Sequence, residues 1–217
     1  MFYQEAHSTN FKKGRIDNIK YIVVHYTANN GDTARNNLGY YNRTANLKAS
    51  AHYFVDELEV CQSVKETDTA YHCGATKYKH PECRNANSIG VEICSRKYPD
   101  GKYYFLNDAV NNAVELIKKL MEVYQIPLSN VIRHYDVTGK NCPQPFVNSE
   151  KEWNEFKEKL VHKPKIESAN DIDYALKWKY AITFDNAESE KEFVRLLDEE
   201  KQKGSKLYWV FYKLANK

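Results

Sequence analysis

The sequence predicts an α/β fold, in which a central mixed β-sheet is flanked by helices and followed by a small C-terminal strand–helix–strand unit. Two observations support this class. Short, continuous apolar runs, typical of strands buried on both faces, recur along the chain. They alternate with longer segments whose apolar residues recur at helical spacing. The length of 217 residues suits one full-sized domain with a small addition.

The first predicted strand covers residues 21–25, which are apolar up to a final histidine. A polar loop with turn-forming residues follows. Residues 33–43 then predict a helix, with Asp32 as its N-terminal cap. Residues 51–55 and 60–64 predict two strands, and the acidic pair between them suits a hairpin turn.

Residues 88–94 predict another strand, and this one has two different faces. Alternation places the apolar Ile89, Val91 and Ile93 on one face and Gly90, Glu92 and Cys94 on the other. A glutamate on the face opposite the apolar side chains is a candidate for a functional role. A solvated strand glutamate is the alternative.

The clearest helical pattern spans residues 107–124, where apolar residues recur at the spacing of an amphipathic helix. Pro127 prevents this helix from continuing further. Residues 131–134 predict a short strand, and residues 153–161 predict a closing helix. The first domain is therefore expected to cover residues 1–161.

Residues 162–170 predict a linker, and residues 171–217 a second, small domain. Within it, residues 175–184 predict a strand, residues 189–203 a helix ended by Gly204, and residues 207–214 a second strand. A unit this small buries little core by itself, so we expect it to dock or to self-associate. Its many aromatic residues either form its core or stack on sugars. Cell-wall binding and homodimer formation both remain open.

Charge and hydropathy exclude some partners. The net charge of +3 is a mild basic bias, and the basic residues form no dense block, so we expect no nucleic-acid partner. No apolar run approaches the roughly 18 residues of a membrane-spanning helix, so we expect no membrane insertion. The N-terminus is polar and has no apolar core of a secretion signal, which predicts synthesis in the cytoplasm.

Three residues with metal-ligand chemistry lie at or near the ends of apolar segments: His25, His134 and Cys142. Two imidazoles and one thiolate would leave a fourth tetrahedral position open on Zn²⁺, as a catalytic site requires. Taken one at a time, each residue also has an ordinary structural interpretation. Spacing alone leaves both interpretations open.

The cysteine count is odd, with residues at Cys61, Cys73, Cys83, Cys94 and Cys142. Without a secretion signal, free thiols or metal ligands are favoured over a disulfide framework. The close spacing of His72, Cys73, His80 and Cys83 allows a second metal site or a Cys73–Cys83 disulfide, although no paired CxxC motif is present.

Five motifs in order, VVHYTA, SAHYFVD, AYHCG, NSIGVEIC and RHYDVTGKNCP, resemble the type 2 N-acetylmuramoyl-L-alanine amidase family from about residue 20 to residue 160. That family includes phage endolysins, bacterial autolysins and recycling amidases, and the peptidoglycan recognition proteins of animals are related to it. The resemblance implies one zinc ion per chain, held by His25, His134 and Cys142. It also implies bacterial peptidoglycan as the substrate, cut between N-acetylmuramic acid and L-alanine.

The resemblance also suggests which residues carry out the chemistry. Some relatives have a tyrosine just before the position of His52, where this chain has Ala51; others use a glutamate in the strand that matches SIGVEI, which here is Glu92. Glu92 is therefore expected to be the general base. Lys140 is similar to the family's lysine that stabilises the tetrahedral intermediate, although by itself it reads as a surface lysine.

Three further side chains are expected near the site. His72 resembles a histidine that lines the substrate cleft, but Tyr71 and Cys73 replace the tryptophan and alanine that usually flank it. His52 is interpreted as a structural or cleft-edge histidine. Asp136 is expected either to orient a ligand imidazole or to cap a turn.

Two functional classes compete. An enzyme of the endolysin type would be made in the cytoplasm and would reach the wall through a holin-type lesion. A recognition-like domain would bind muropeptides without cutting them. Non-catalytic relatives tend to lack the cysteine ligand, so Cys142 together with Glu92 and Lys140 favours the enzyme.

Overall fold

The computed structural model describes residues 1–161, Ile172 and residues 187–215. The chain divides into two units, residues 1–161 and residues 162–217. The strands of the first unit are β1 (Phe2–Tyr3), β2 (Phe11–Lys12), β3 (Tyr21–Tyr26), β4 (Tyr53–Val55), β5 (Val60–Gln62), β6 (Thr69–Ala70), β7 (Ser88–Ile93), β8 (Arg96–Lys97), β9 (Tyr103–Tyr104) and β10 (Val131–Arg133). Its helices are α1 (Ala34–Arg43), α2 (Asn107–Tyr124), α3 (His134–Thr138), α4 (Gln144–Asn148) and α5 (Glu150–Val161). The second unit contains α6 (Ala187–Gln202) and α7 (Lys206–Ala215).

Six strands form one mixed sheet in the order β1-β5-β4-β7-β3-β10. The β4–β5 hairpin is antiparallel, and the other neighbouring pairs are parallel. The predicted α/β class with a central mixed sheet is therefore confirmed. Two small two-stranded pairs, β2–β6 and β8–β9, were not predicted from the sequence.

Both faces of the sheet are covered, and the alternation predicted for β7 is confirmed. Ile89, Val91 and Ile93 lie in the main core with buried residues of α2 and α5, such as Ile117 and Phe156. Residues of β3 divide in the same way, because Ile22 and Val24 join this core while Tyr21 and Val23 pack on the other side. The face of β3 and β7 opposite the main core therefore has room for polar side chains near the carboxyl ends of these strands.

The cap of α1 differs from the prediction. Thr33, not Asp32, is the N-cap, and its hydroxyl accepts a hydrogen bond from the backbone N–H of Asn36. The Asp32 carboxylate instead accepts hydrogen bonds from the side chains of Thr27 and Asn37. Because these partners hold it in the loop after β3, Asp32 is not available to the helix terminus.

In the second unit, the predicted strand at residues 207–214 is wrong, because these residues lie in helix α7. Tyr208, Phe211 and Tyr212, spaced as on one helical face, pack with Ile172 and Leu197 in the core of this unit. Leu207, just before this face begins, and Val210, between its packed residues, are exposed, which is a helical rather than a two-residue period. Aromatic content favoured a strand, but the burial pattern follows the helix.

Helix α6 confirms the predicted helix, and Gly204 follows it with φ +64°, the left-handed conformation that glycine adopts at little cost. The predicted linker at residues 162–170 and the predicted strand at residues 175–184 lie outside the described residues. Among the described helices, none has both the length and the apolarity needed to cross a membrane.

Candidate metal centre and substrate cleft

Three predicted ligands converge at one edge of the sheet. His25 lies near the carboxyl end of β3, His134 is the first residue of α3, and Cys142 lies in the loop between α3 and α4. All three are buried, and their potential ligand atoms lie within 4.8 Å of one another. Because β3 and β10 are parallel neighbours, their carboxyl ends meet at the same edge, and His134 follows β10 directly.

A tight return of the chain brings Cys142 back to His134. Helix α3 is capped at its C-terminus by Gly139, whose φ of +85° allows the left-handed turn, and the N–H of Gly139 donates to the carbonyl of Tyr135. The N–H of Tyr135 donates to the carbonyl of Cys142 at 2.8 Å. Cys142 Sγ consequently lies 3.6 Å from His25 Nδ1.

The protonation states of the two imidazoles suit a metal, whereas the thiol has to lose its proton to bind one. Burial lowers the pKa of His25 well below its ordinary value and the pKa of His134 to about 4, so both imidazoles are neutral at neutral pH. Burial raises the pKa of the Cys142 thiol to about 12. His134 Nδ1 is buried without a hydrogen-bond partner among the described residues. An imidazole nitrogen without a partner, a second imidazole and a thiol that can be deprotonated make up a donor set that Zn²⁺ prefers.

Glu92 lies beside this group without belonging to it. It pairs with His25 in the register of β7 and β3, and its Oε1 lies 3.9 Å from His25 Nδ1. Its other carboxylate oxygen is buried without a hydrogen-bond partner among the described residues. Burial raises the pKa of Glu92 to about 8, and the nearby Lys140 acts in the opposite direction. A carboxyl group titrating near neutral pH is suited to accept a proton.

Lys140 is exposed and lines the same cleft as the three predicted ligands and Glu92. Its positive charge contributes to the lowered pKa of His25 and of His134. The ammonium group is therefore close enough to the cluster to act on charge that develops there.

His72 also lines the cleft, but both of its ring nitrogens are engaged within the protein. Nδ1 lies 3.1 Å from His25 Nε2, and Nε2 lies 3.1 Å from the hydroxyl of Ser88. The ring packs on Gly90, where an added Cβ would lie only 2.6 Å from His72 Cγ. The sequence pattern did not single out Ser88, although Ser88, Gly90 and Glu92 share one face of β7.

The cleft has a volume of about 610 Å³, with the metal-ligand candidates and Glu92 among its lining residues. Its lining also includes side chains that the sequence did not mark as functional: Tyr26, Asp32, Asn36, Asn37, Tyr40, Tyr41 and Tyr71. Aromatic rings together with amide and carboxylate groups suit a ligand that has both sugar and peptide parts. Several of these side chains come from α1 and could have been found only from its packing beside the sheet.

Two other predicted side chains have structural contacts. Asp136 accepts a hydrogen bond from the backbone N–H of Arg133 and pairs with the Arg133 guanidinium, so it caps the first turn of α3. His52 is fully buried, and its Nδ1 accepts a hydrogen bond from the backbone N–H of Gly90 at 3.0 Å. The capping role of Asp136 and the structural role of His52 are the alternatives that these contacts support.

The cysteine pair of the AYHCG region forms neither of the predicted structures. Cys73 and Cys83 are buried free thiols, as are the other three cysteines. Within the described part of the chain, the group of His25, His134 and Cys142 is the metal-binding cluster found, and no second one includes Cys73 or Cys83. His80 Nδ1 instead accepts the backbone N–H groups of Glu82 and Cys83.

The chain is similar to known proteins both in sequence and in fold. Residues 15–145 match the family model described as N-acetylmuramoyl-L-alanine amidase. The N-acetylmuramoyl-L-alanine amidase CwlL of Bacillus licheniformis is 36% identical over 155 residues, which cover 67% of this chain and 42% of that protein. XlyA, an amidase of the same name from Bacillus subtilis, is 34% identical over 140 residues, which cover 63% of this chain and 42% of XlyA.

Solved structures with a similar fold include two domains that are 30% identical in sequence to this chain. The structure of PlyL matches with a TM-score of 0.62 and 30% identity, covering 75% of this chain and 97% of that one. The catalytic domain of XlyA matches with a TM-score of 0.61 and 30% identity, covering 73% of this chain and 97% of that one. The chain thus spans nearly the whole of these solved domains but less than half the length of CwlL and of XlyA.

Proposed function

The chain belongs to the N-acetylmuramoyl-L-alanine amidase family, and from this premise we propose that it hydrolyses the amide bond between N-acetylmuramic acid and L-alanine in peptidoglycan. The observation that carries the proposal is the convergence of His25, His134 and Cys142 beside Glu92 in one cleft. The relatives named as amidases and the solved catalytic domain support it.

One zinc ion per chain would be held by the two imidazoles and the thiolate, with His25 Nδ1 and His134 Nδ1 as the nitrogen donors. The 3.6 Å between His25 Nδ1 and Cys142 Sγ and the orphaned nitrogen of His134 support this assignment. Zinc bound there would supply Lewis acidity, which polarises the scissile carbonyl and lowers the pKa of the attacking water.

Glu92 would take the proton of the attacking water and later deliver it to the leaving amine of L-alanine. Its position beside the cluster, outside the predicted ligand set, and its raised pKa of about 8 support this role. Lys140 would donate to the oxyanion that develops when the carbonyl carbon becomes tetrahedral. Its exposed position on the cleft leaves the ammonium free to approach the substrate.

The proposed setting is that of an endolysin, which acts on the bacterial wall after release from the cell in which it is made. One similar solved structure is that of a mutant endolysin from Bacillus subtilis. The unit at residues 162–217 is proposed to increase action on intact wall, through wall binding or through pairing of two chains. In this setting the mild positive charge of the chain would favour approach to an anionic wall.

The test is mass spectrometry of purified peptidoglycan after digestion with the zinc-loaded full chain. Hydrolysis at the proposed bond releases stem peptides with a free L-alanine amine and leaves glycan strands with free muramic carboxylates. Cleaved glycosidic bonds or cleaved peptide bonds within the stem would contradict the proposal. Binding of muropeptides without any cleavage would favour the alternative of a non-catalytic recognition domain. A Glu92→Gln preparation made in parallel shows whether any cleavage comes from a contaminating host enzyme.

A further inference from the structure

A chain of hydrogen bonds runs from the backbone to the metal cluster through two side chains. The hydroxyl of Ser88 lies 2.6 Å from the carbonyl oxygen of Arg84 and 3.1 Å from His72 Nε2. The other nitrogen of His72, Nδ1, lies 3.1 Å from His25 Nε2. His25 Nδ1 then faces the Sγ atom of Cys142.

The carbonyl at one end fixes the direction of every hydrogen bond in this chain. A carbonyl oxygen only accepts, so the single hydroxyl proton of Ser88 goes to Arg84. Ser88 must then accept from His72 Nε2, which therefore carries a proton; in the neutral tautomer this is the only proton on the ring. His72 Nδ1 is consequently an acceptor, and His25 Nε2 must donate to it.

The result is one tautomer of His25. With its proton on Nε2, His25 has a free lone pair on Nδ1, the nitrogen that lies 3.6 Å from Cys142 Sγ. The opposite tautomer would aim an N–H at the cluster and leave two lone pairs facing each other between His25 and His72. That arrangement is unfavourable in a buried site.

We propose that Ser88 and His72 are positioning residues that hold His25 in its Nε2–H tautomer, so that Nδ1 is available as a metal ligand. The inference rests on the proposed function in one respect, which is that the metal binds at this cluster. It changes the interpretation of His72, whose ring nitrogens serve His25 and Ser88 rather than the substrate.

The surroundings of His72 fix its ring for this task. Its backbone N–H donates to Asn85 Oδ1 at 3.1 Å, and the ring lies against Gly90, where there is no side chain. Gly90 is itself held by the N–H···Nδ1 hydrogen bond to His52. Because the His72 ring cannot rotate, Nε2 stays directed at Ser88 and Nδ1 stays directed at His25.

The first test is the tautomer itself, observed by ¹⁵N NMR of histidine-labelled full-length protein, both metal-free and loaded with zinc. The expected spectrum has His25 protonated on Nε2 and His72 protonated on Nε2 in the metal-free protein, with the Nε2 proton of His25 retained when zinc binds. A metal-free protein with His25 protonated on Nδ1 would overturn the proposal. This measurement needs no variant and no substrate.

The second test compares two buried serines. Ser88→Ala removes the acceptor of the His72 proton, and we expect the zinc affinity to fall about 10- to 100-fold, as is typical when the partner of a ligand histidine is lost. Ser63→Ala is the matched control, because Ser63 is also fully buried and its hydroxyl has no partner among the described residues. Equal zinc affinity in the two variants, measured by competition with a chelator, would overturn the proposal.

The third test separates the hydrogen bond from packing. In His72→Asn, the amide oxygen can take the place of Nδ1 and accept from His25, whereas His72→Leu fills space without accepting. We expect zinc affinity close to wild type for the asparagine variant and about 10- to 100-fold weaker for the leucine variant. Equal losses in both variants would show that only the bulk of the ring matters. If these affinities behave as expected but peptidoglycan is not cleaved, the proposed function fails and the relay from Ser88 to His25 stands.

Discussion

His25 and Glu92 face each other on neighbouring parallel strands, with 3.9 Å between His25 Nδ1 and Glu92 Oε1. This separation is longer than a hydrogen bond, and Glu92 is not a member of the converging ligand group. The carboxylate is thus next to the proposed metal without being needed to bind it. Metal binding and proton transfer should therefore be separable by mutation.

Glu92→Gln should abolish proton transfer while leaving the metal in place. The amide has nearly the same size but cannot accept the proton, so the hydrolysis rate should drop by about 10²–10⁴-fold. Zinc content should remain near one per chain, measured by elemental analysis beside the rate. Glu122→Gln on the exposed side of α2 is the control and should behave as wild type. Wild-type turnover in Glu92→Gln would remove Glu92 from the mechanism.

Cys142→Ser should act at the earlier stage of metal binding. A serine hydroxyl is a far poorer zinc ligand than a thiolate, so the variant should lose both bound zinc and activity. Cys94→Ser is the matched control: Cys94 is equally buried, and a serine there can accept a hydrogen bond from Asn37, which already approaches the sulfur. Tightly bound zinc in Cys142→Ser would show that the thiolate is not a ligand.

Zinc binding should release protons and should tighten as pH rises. The Cys142 thiol, with a pKa of about 12 in the metal-free protein, must lose its proton to bind, whereas the lowered pKa values of His25 and His134 leave no imidazole proton to displace. Between pH 6 and pH 8 the zinc affinity of Glu92→Gln should therefore rise by about tenfold or more per pH unit, with at least one proton released, because zinc-bound water can lose a second one. Calorimetry in buffers of different ionisation enthalpy counts the protons. A count of zero would mean that the thiol is not the group deprotonated.

Gly90→Ala should displace the His72 ring and so disturb the site. The added Cβ would lie 2.6 Å from His72 Cγ, so either the ring or the strand must move. We expect a loss of about 1–3 kcal/mol in the free energy of unfolding, together with weaker zinc binding. Gly39→Ala in α1 is the control, because its Cβ would meet only the flexible end of Arg43 and should stabilise the helix by up to about 1 kcal/mol. Urea titration measures the free energy of unfolding of the two variants.

Truncation after residue 170 should separate cleavage from targeting. Residues 1–161 form a unit of their own that contains every residue of the proposed site, so the shortened chain should fold and cleave soluble muropeptides. Lysis of whole cells should decrease, because wall attachment or pairing of two chains would be lost. A truncated chain that lyses cells as well as the full chain would exclude both roles for the C-terminal unit.

Local patterns in the sequence were sufficient for much of the fold. The continuous apolar run of β3 and the helical spacing of apolar residues in α2 each follow from the geometry of a single strand or helix. Both elements lie where they were predicted. The alternation in β7 separated Glu92 from the apolar face before any contact was known. The ligand group needed more, because two histidines and a cysteine far apart in the chain were brought together only by resemblance to a family.

Where the sequence failed, a longer-range effect decided the outcome. Residues 207–214 carry aromatics that suit a strand, yet their contacts with α6 select a helix, because a helical face buries Tyr208 and Phe211 together. His134 was predicted as the last residue of a strand, but the strand ends at Arg133 and His134 begins α3, whose first turn is capped by Asp136.

The sequence by itself determined which side chains are available: two histidines, a cysteine, a glutamate and a lysine in segments of recognisable type. Only the tertiary structure decided which of their atoms face one another. The register of β3 against β7 places Glu92 opposite His25, and the fold of the loop before β7 places His72 between His25 and Ser88. Hydrogen-bond direction depends on partners that are distant in the chain, and no local periodicity carries that information.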